Sequence, residues 1–230
     1  MQRNILIILL TLFAAVAHLK ASDSDAEKFP DIDLAFRDWG NDVMWRSYRT
    51  TTADGYKLTM FRILGQSDGT TLPNHGEKGP ILLLHGFSTS ALTWFNRRDK
   101  SRIVTPVQYY EAGYDVWLGS IRGTRYCREH KRYDADFDNM YWDFDNSDVA
   151  ENDLYAMLAK IHKVSDTCQK ITLLAHSGGA TQAFNLLAKT SRAHKYISQY
   201  IALEPCIVAN VDDFFPGMSD NLYRVIDPGL

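Results

Sequence analysis

The run Ile171-Thr-Leu-Leu-Ala-His-Ser-Gly-Gly-Ala180 constrains this chain more than any other ten residues in it. An apolar, strand-like stretch from Ile171 to Ala175 stops at once in a turn of pattern small-x-Ser-x-small. A helix-like stretch from Ala180 to Lys189 follows. A serine at the tip of so sharp a strand-to-helix turn sits in strained backbone space. The residues two before and two after it must be small, because the backbone folds back on itself there. Those residues are Ala175 and Gly179, alanine standing where glycine is usual. The five-residue pattern alone arises by chance in roughly one chain in ten of this length. Its place between a strand and a helix gives it weight, and it marks Ser177 as a candidate nucleophile.

The rest of the chain supplies strands and helices in alternation. Arg46–Arg49 and Leu58–Ile63 read as two strands about Asp54-Gly55, a hairpin signal. Ile81-Leu-Leu-Leu-His85, Gly113-Tyr-Asp-Val-Trp-Leu118, Ile171–Ala175 and Tyr196–Leu203 are short apolar runs of the kind found in buried parallel strands. Val149, Leu154, Met157, Leu158 and Ile161 recur with helical spacing, and Ser147 or Asp148 is a plausible N-cap. Alternating strands and helices predict an α/β fold, a mostly parallel sheet with helices on both faces. At 230 residues the chain is long enough for one such domain, or part of a larger one. The reading divides it into 1–17, 18–42 and a domain over 43–230.

Arg3 precedes an apolar run from Ile5 to Ala17, ending in Ala15-Val16-Ala17, a pattern expected of a cleaved secretory signal. That run is short of the roughly 20 residues a membrane-spanning helix needs. No later stretch is apolar enough to span, so no transmembrane span is expected after cleavage. A net charge of −3 argues against nucleic acid as a partner. The basic residues of 97–102 and of Arg122–Arg132 are interspersed with acids and read as solvated loops. Cys127, Cys168 and Cys206 form no disulfide framework, and no Cys/His spacing suggests zinc or another metal. Asp134-Ala-Asp-Phe-Asp138 opens like a calcium loop, but position 6 is Asn139 and position 12 is Asp145. It reads as a solvated acidic loop, and Tyr141, Trp142 and Phe144 beside it as core packing.

Acyl transfer on a serine needs a base, an orienting acid and donors for the oxyanion. The backbone N–H of Gly178, just after the serine, is one candidate donor. The backbone N–H of Phe87, in His85-Gly86-Phe87 after an earlier strand, is the other. His85 itself reads as a brace for that loop.

Three further blocks are Leu82-Leu-Leu-His-Gly-Phe-Ser-Thr-Ser-Ala-Leu-Thr-Trp94, Ala112-Gly-Tyr-Asp-Val-Trp-Leu-Gly-Ser-Ile-Arg-Gly123 and Tyr141-Trp-Asp-Phe144. Together with Thr52-Ala-Asp-Gly-Tyr56, Asp153-Leu154 and Ala175-His-Ser-Gly-Gly179, they resemble the acid lipases, the gastric and lysosomal lipase family of the α/β-hydrolases. The likeness runs from about Val43 to Ile207. It implies an α/β-hydrolase fold, no cofactor, lipid ester substrates such as triacylglycerols or steryl esters, a lipid–water interface, and an extracellular or lysosomal destination. It carries the nucleophile to Ser177 and the oxyanion donors to Phe87 and Gly178, where the family commonly has Leu and Gln.

In that family an Asp and then a His follow the nucleophile at long range, beyond a lid. This chain stops about 50 residues after Ser177, and its one later histidine is His194. A helix rising 1.5 Å per residue carries His194 on the order of 20 Å away, beyond hydrogen-bond reach. Glu204 falls at a strand end. Asp212, Asp213, Asp220 and Asp227 fall where the family's lid begins. The expectation is therefore a C-terminally truncated hydrolase without its own triad acid and base, with the strand over Tyr196–Leu203 left as an apolar edge. Two rivals stand beside ester hydrolysis: a catalytically inert lipid-binding or interaction protein, and another serine hydrolase such as a thioesterase or peptidase.

Overall fold

A computed structural model of the protein describes residues 25–37, 43–96, 103–165 and 167–206. The leader-like segment 1–17, the basic run 97–102 and the four aspartates beyond residue 206 lie outside the described residues.

A helix, α1 (Pro30–Arg37), is followed by a hairpin of β1 (Val43–Thr51) and β2 (Tyr56–Gln66). Thr51 pairs with Lys57 at its tip, the turn that Asp54-Gly55 signals. Then come β3 (Pro80–Leu84), a 3-10 turn (Ala91–Phe95), α2 (Thr105–Glu111), β4 (Asp115–Gly119) and the short β5 (Glu129–His130). One helical turn (Asn146–Asp148) and a π-helical segment (Val149–Leu154) lead into α3 (Tyr155–Val164). The last elements are β6 (Ile171–His176), α4 (Gly178–Lys189) and β7 (Ile197–Leu203).

The strands form one sheet in the order β1-β2-β4-β3-β6-β7, with β5 against β2. β1, β2 and β4 pair antiparallel, whereas β4, β3, β6 and β7 run parallel. Every residue of β3 and β4 is buried, because helices cover both faces and side chains alternate between them. Ile81 and Leu83 join one core layer with Phe36, Phe61, Val107 and Leu118. Leu82 and Leu84 join the other with Trp117, Met157, Leu158 and Leu186. Helix α1 inserts Ile32 and Phe36 into the first layer, so part of segment 18–42 packs within the same core. β7 is half-buried at best and forms the sheet edge among the described residues.

The helix read from Val149 begins earlier than its periodicity indicates. Its cap is Asp145, not Ser147 or Asp148. The Asp145 carboxylate accepts from Ser147 N (2.6 Å) and Asp148 N (3.0 Å), and the Asp148 carboxylate accepts from Asp145 N in return. This reciprocal capping box places its acidic partner three residues on. A larger correction concerns Arg122. It is not solvated but fully buried between Asp54 and Asp153.

Candidate active site

Strand β6 delivers Ser177 to the carboxyl edge of the sheet with φ 49° and ψ −121°, a conformation that L-residues avoid. Neighbouring bonds hold it there. Ser177 N donates to Leu203 O at the end of β7 (2.9 Å), and Ser177 O accepts from Ala180 N (2.9 Å) and Thr181 N (3.2 Å) as α4 begins. Gly179 is required because a Cβ there would strike the carbonyl oxygen of His85. Gly178 is required for a different reason: the Phe87 ring lies directly over it, and any side chain would enter that ring.

The loop after β3 and the start of α4 are thus pressed together at Phe87 and Gly178. Neither of their backbone N–H groups is donated to another described residue. His85 holds the loop from beneath. Its Nδ1–H donates to Gly86 O (2.7 Å), and its Nε2 accepts from Ile121 N (3.3 Å), which fixes the neutral tautomer. Burial lowers its pKa to about 4, so it stays uncharged and braces the loop as the sequence implies.

No histidine is hydrogen-bonded to the Ser177 hydroxyl among the described residues. His176 turns its Nε2 toward Glu204 (3.4 Å). His194 donates from Nε2 to Leu187 O (3.1 Å) past the C-terminal end of α4, far along the helix from Ser177. Cys127 is no alternative nucleophile. It is buried with its thiol donated to Ser120 O (3.0 Å), and burial pushes its pKa up to about 12.

Around Arg122 lies an ion cluster that sequence reasoning missed. Arg122 Nε donates to Asp153 Oδ1 (2.8 Å), Nη2 to the same oxygen (2.6 Å), and the backbone N to Asp153 Oδ2 (2.7 Å). Nη1 reaches Asp54 Oδ2 (2.6 Å), and the guanidinium lies 3.8 Å from the Tyr56 ring centroid. Burial raises Asp153 to about 6 against the pull of Arg122. For Asp54, half-exposed burial acts upward but the bonds to Arg122 prevail, and its pKa is lowered. A signal was present in the sequence: Asp153 stands four residues from both Val149 and Met157, on the helix face that meets the core.

A cavity of about 450 Å³ opens beside Phe87, walled by Leu92, Ile121, Trp142, Phe144 and Val149. Tyr141 is core as expected, whereas Trp142 and Phe144 pack on the core and also face this cavity. In the acidic loop the carboxylates serve the chain itself. Asp138 accepts from Asp134 N, Asp134 from Asp136 N, and Asp136 pairs with Arg128. Among the described residues no cluster of three His, Cys, Asp or Glu is placed to hold a metal, and no helix is long and apolar enough to cross a membrane.

The family described as "Partial alpha/beta-hydrolase lipase region" matches residues 38–98. Lipase lipl-3 of Caenorhabditis elegans is 31% identical over 207 residues, which is 89% of this chain and 48% of that protein. Gastric triacylglycerol lipase of Bos taurus is 31% identical over 159 residues, 69% of this chain and 38% of that protein. An esterase of Pyrococcus furiosus, Pf2001, superposes with a TM-score of 0.49 at 16% identity, covering 83% of this chain and 64% of that one. The chain spans about half the length, or less, of the curated relatives it matches.

Proposed function

We propose, for a chain that belongs to the lipase family of the α/β-hydrolases, that Ser177 is the nucleophile of a carboxylic ester hydrolase acting on lipid esters. The observation that carries this reading is the backbone of Ser177. A non-glycine residue at φ 49° on a strand-to-helix turn stores strain of about 1–3 kcal/mol, and that strain presents the hydroxyl at the sheet edge. The Ser177 oxygen attacks the ester carbonyl, the oxyanion is met by the N–H groups of Phe87 and Gly178, and the alcohol departs to leave an acyl-enzyme. Water then releases the acid. No cofactor takes part in this reading. No described histidine is hydrogen-bonded to the Ser177 hydroxyl, so in this reading the base that accepts the serine proton comes from outside the described residues.

The substrates proposed are triacylglycerols or steryl esters, met at a lipid–water interface. Residues 1–17 act as an export signal and 43–230 as the hydrolase domain, with an extracellular or lysosomal destination. An inert lipid-binding role is the second reading, favoured by a Ser177 hydroxyl that is hydrogen-bonded to no histidine among the described residues. Labelling of the folded full-length chain with a fluorophosphonate probe, followed by peptide mapping, separates the two. Hydrolase function predicts modification at Ser177 that Ser177→Ala abolishes. A folded chain that resists labelling overturns the hydrolase reading and leaves lipid binding.

A further inference from the structure

The most exposed large apolar side chain among the described residues is Phe137, at 88%, and Met140 three residues on is 54% exposed. Both follow β5, with Met140 inside a 3-10 turn (Asn139–Trp142). The loop that carries Phe137 is closed on itself. Asp138 N donates to Asp134 O (2.9 Å), and Asp134 N donates to the Asp138 carboxylate (2.7 Å). Asp136 N donates to the Asp134 carboxylate (2.8 Å), and the Asp136 carboxylate pairs with Arg128. Ala135 is buried, and its carbonyl accepts from Trp142 Nε1 (2.9 Å). The carboxylates thus hold the loop's own backbone, while the ring at its apex is left in solvent. A tip fixed in this way presents its ring with little left to order on contact.

The loop stands on the sheet edge that carries Ser177. β2 runs antiparallel to β4 with Met60 opposite Gly119, so the start of β2 lies at the carboxyl end of β4. β5 pairs with Tyr56 and Lys57 at that start. β4, β3 and β6 are parallel, and Ser177 follows the carboxyl end of β6. Trp142 joins the two features. It holds Ala135 of the loop, and it walls the cavity beside Phe87.

We infer that Phe137, with Met140, inserts into a neutral lipid surface and holds the Ser177 edge of the sheet against it. Area argues for lipid over a protein partner. A phenylalanine buries about 150–250 Å², and with one methionine the patch falls well short of the ~800 Å² per partner that a stable protein complex takes. A fluid apolar phase needs neither that area nor a matching shape. Charge then selects the kind of lipid. From residue 128 to 143 the chain carries five carboxylates and three cations, and Asp134, Asp136 and Asp138 flank the ring. An anionic surface attracts basic segments and repels a tip of this sign. The same carboxylates confine insertion to the ring and the thioether, because an ion taken into hydrocarbon loses its hydration. The inference deepens the lipid-ester reading and rests on it for the chemistry of the surface.

The test is flotation of the full chain with triolein droplets coated by phosphatidylcholine, alone or mixed with phosphatidylserine. Ser177→Ala is the parent throughout, so that no droplet is consumed. The parent should bind the neutral droplets. Phe137→Ser should weaken that binding about tenfold, the size of one partly buried ring, and Phe137→Trp should retain it. Phosphatidylserine should not tighten it. Because Phe137 is 88% exposed, both variants should melt with the parent, which separates lost docking from lost folding. No binding to the neutral droplets, equal binding by Phe137→Ser, or tighter binding with phosphatidylserine overturns the inference. So does self-association in lipid-free sedimentation that Phe137→Ser abolishes, which would assign the tip to a second copy of the chain. Fluorophosphonate labelling of Ser177 is scored separately on the wild-type chain in lipid-free solution. An inert serine with the binding pattern intact removes the hydrolase reading and leaves the anchor, and a labelled serine without the pattern does the reverse.

Discussion

Replacing Arg122 by methionine isolates what the buried ion cluster contributes. The side chains of Arg122 and Asp153 are both fully buried, whereas that of Asp54 is 35% exposed. The substitution removes the guanidinium bonds to Asp153 and Asp54 and leaves only the backbone N–H of residue 122 on the Asp153 carboxylate. Exposed ion pairs contribute about 0–1 kcal/mol, and the Asp54 arm belongs nearer that class. Breaking a buried pair costs about 3–5 kcal/mol because the partner is stranded without solvent. The expected loss near neutral pH is therefore about 3–5 kcal/mol, a fall in melting temperature on the order of 10 °C for a domain of this size.

The pH dependence carries the sign. Burial already holds Asp153 at about 6 with the cation present, above its unfolded value near 3.9. A carboxyl with a raised folded pKa favours folding below the unfolded value and loses that contribution as pH rises through the folded one. Without Arg122 the folded value climbs further, so the variant's deficit should be largest above about pH 7 and should shrink near pH 5, where Asp153 is protonated in both proteins. Urea unfolding followed by circular dichroism at the two pH values measures this. Arg122→Met/Asp153→Leu should regain most of the loss. A deficit under 1 kcal/mol, or one equal at both pH values, would refute the assignment of the cost to a stranded buried carboxylate.

Two further outcomes are expected. Gly178→Gln, which installs the residue common in the family, should cost about 1–3 kcal/mol by forcing the Phe87 ring from its seat. Phe87→Leu in the same chain should recover it, with a coupling energy of about 0.5–3 kcal/mol in a double-mutant cycle of unfolding energies; additive effects would show that the two positions do not share space. His85 should make folding acid-sensitive. Its folded pKa is depressed to about 4 from an ordinary 6.5 by burial, so stability is present above 6.5 and lost as pH falls toward 4, by about 3 kcal/mol. His85→Gln should flatten the stability profile across that window, and an unchanged slope in denaturant titrations would count against it.

The strand-turn-helix pattern around Ser177 was legible because three local requirements coincide in ten residues: an apolar strand, small flanking positions and a helix start. The hairpin was legible for the same reason, with Asp54-Gly55 between two alternating runs. Arg122 and Asp153 were not read. Their partners lie 31 residues apart in sequence, and with Asp54 68 residues from Arg122 no local period links them. Charge composition alone places arginines in solvent, and only the helix phase of Asp153 spoke against that. The cap was misplaced because the first helical turn is polar. Asn146, Ser147 and Asp148 carry no apolar period, so the start was sought at Val149 although the capping box lies before it.

The non-glycine residues with positive φ among those described are Ser88, Ser177 and Glu204. They follow the carboxyl ends of β3, β6 and β7, which are adjacent and parallel. Strain of this kind persists only where surrounding structure over-determines it, and here the determinant is the sheet. The bond from Ser177 N to Leu203 O ties the elbow to the residue just before Glu204, and the β3–β6 register brings Leu84 beside Ala175. That places the loop bearing Phe87 against the serine. Rigid, doubly covered strands therefore set the site's geometry, while the Arg122 cluster lies to one side, joining the hairpin tip to the π-helical segment. The two are separable in principle. Weakening the cluster should lower global stability while the elbow keeps its backbone, since none of the bonds that hold Ser177 passes through Arg122, Asp54 or Asp153.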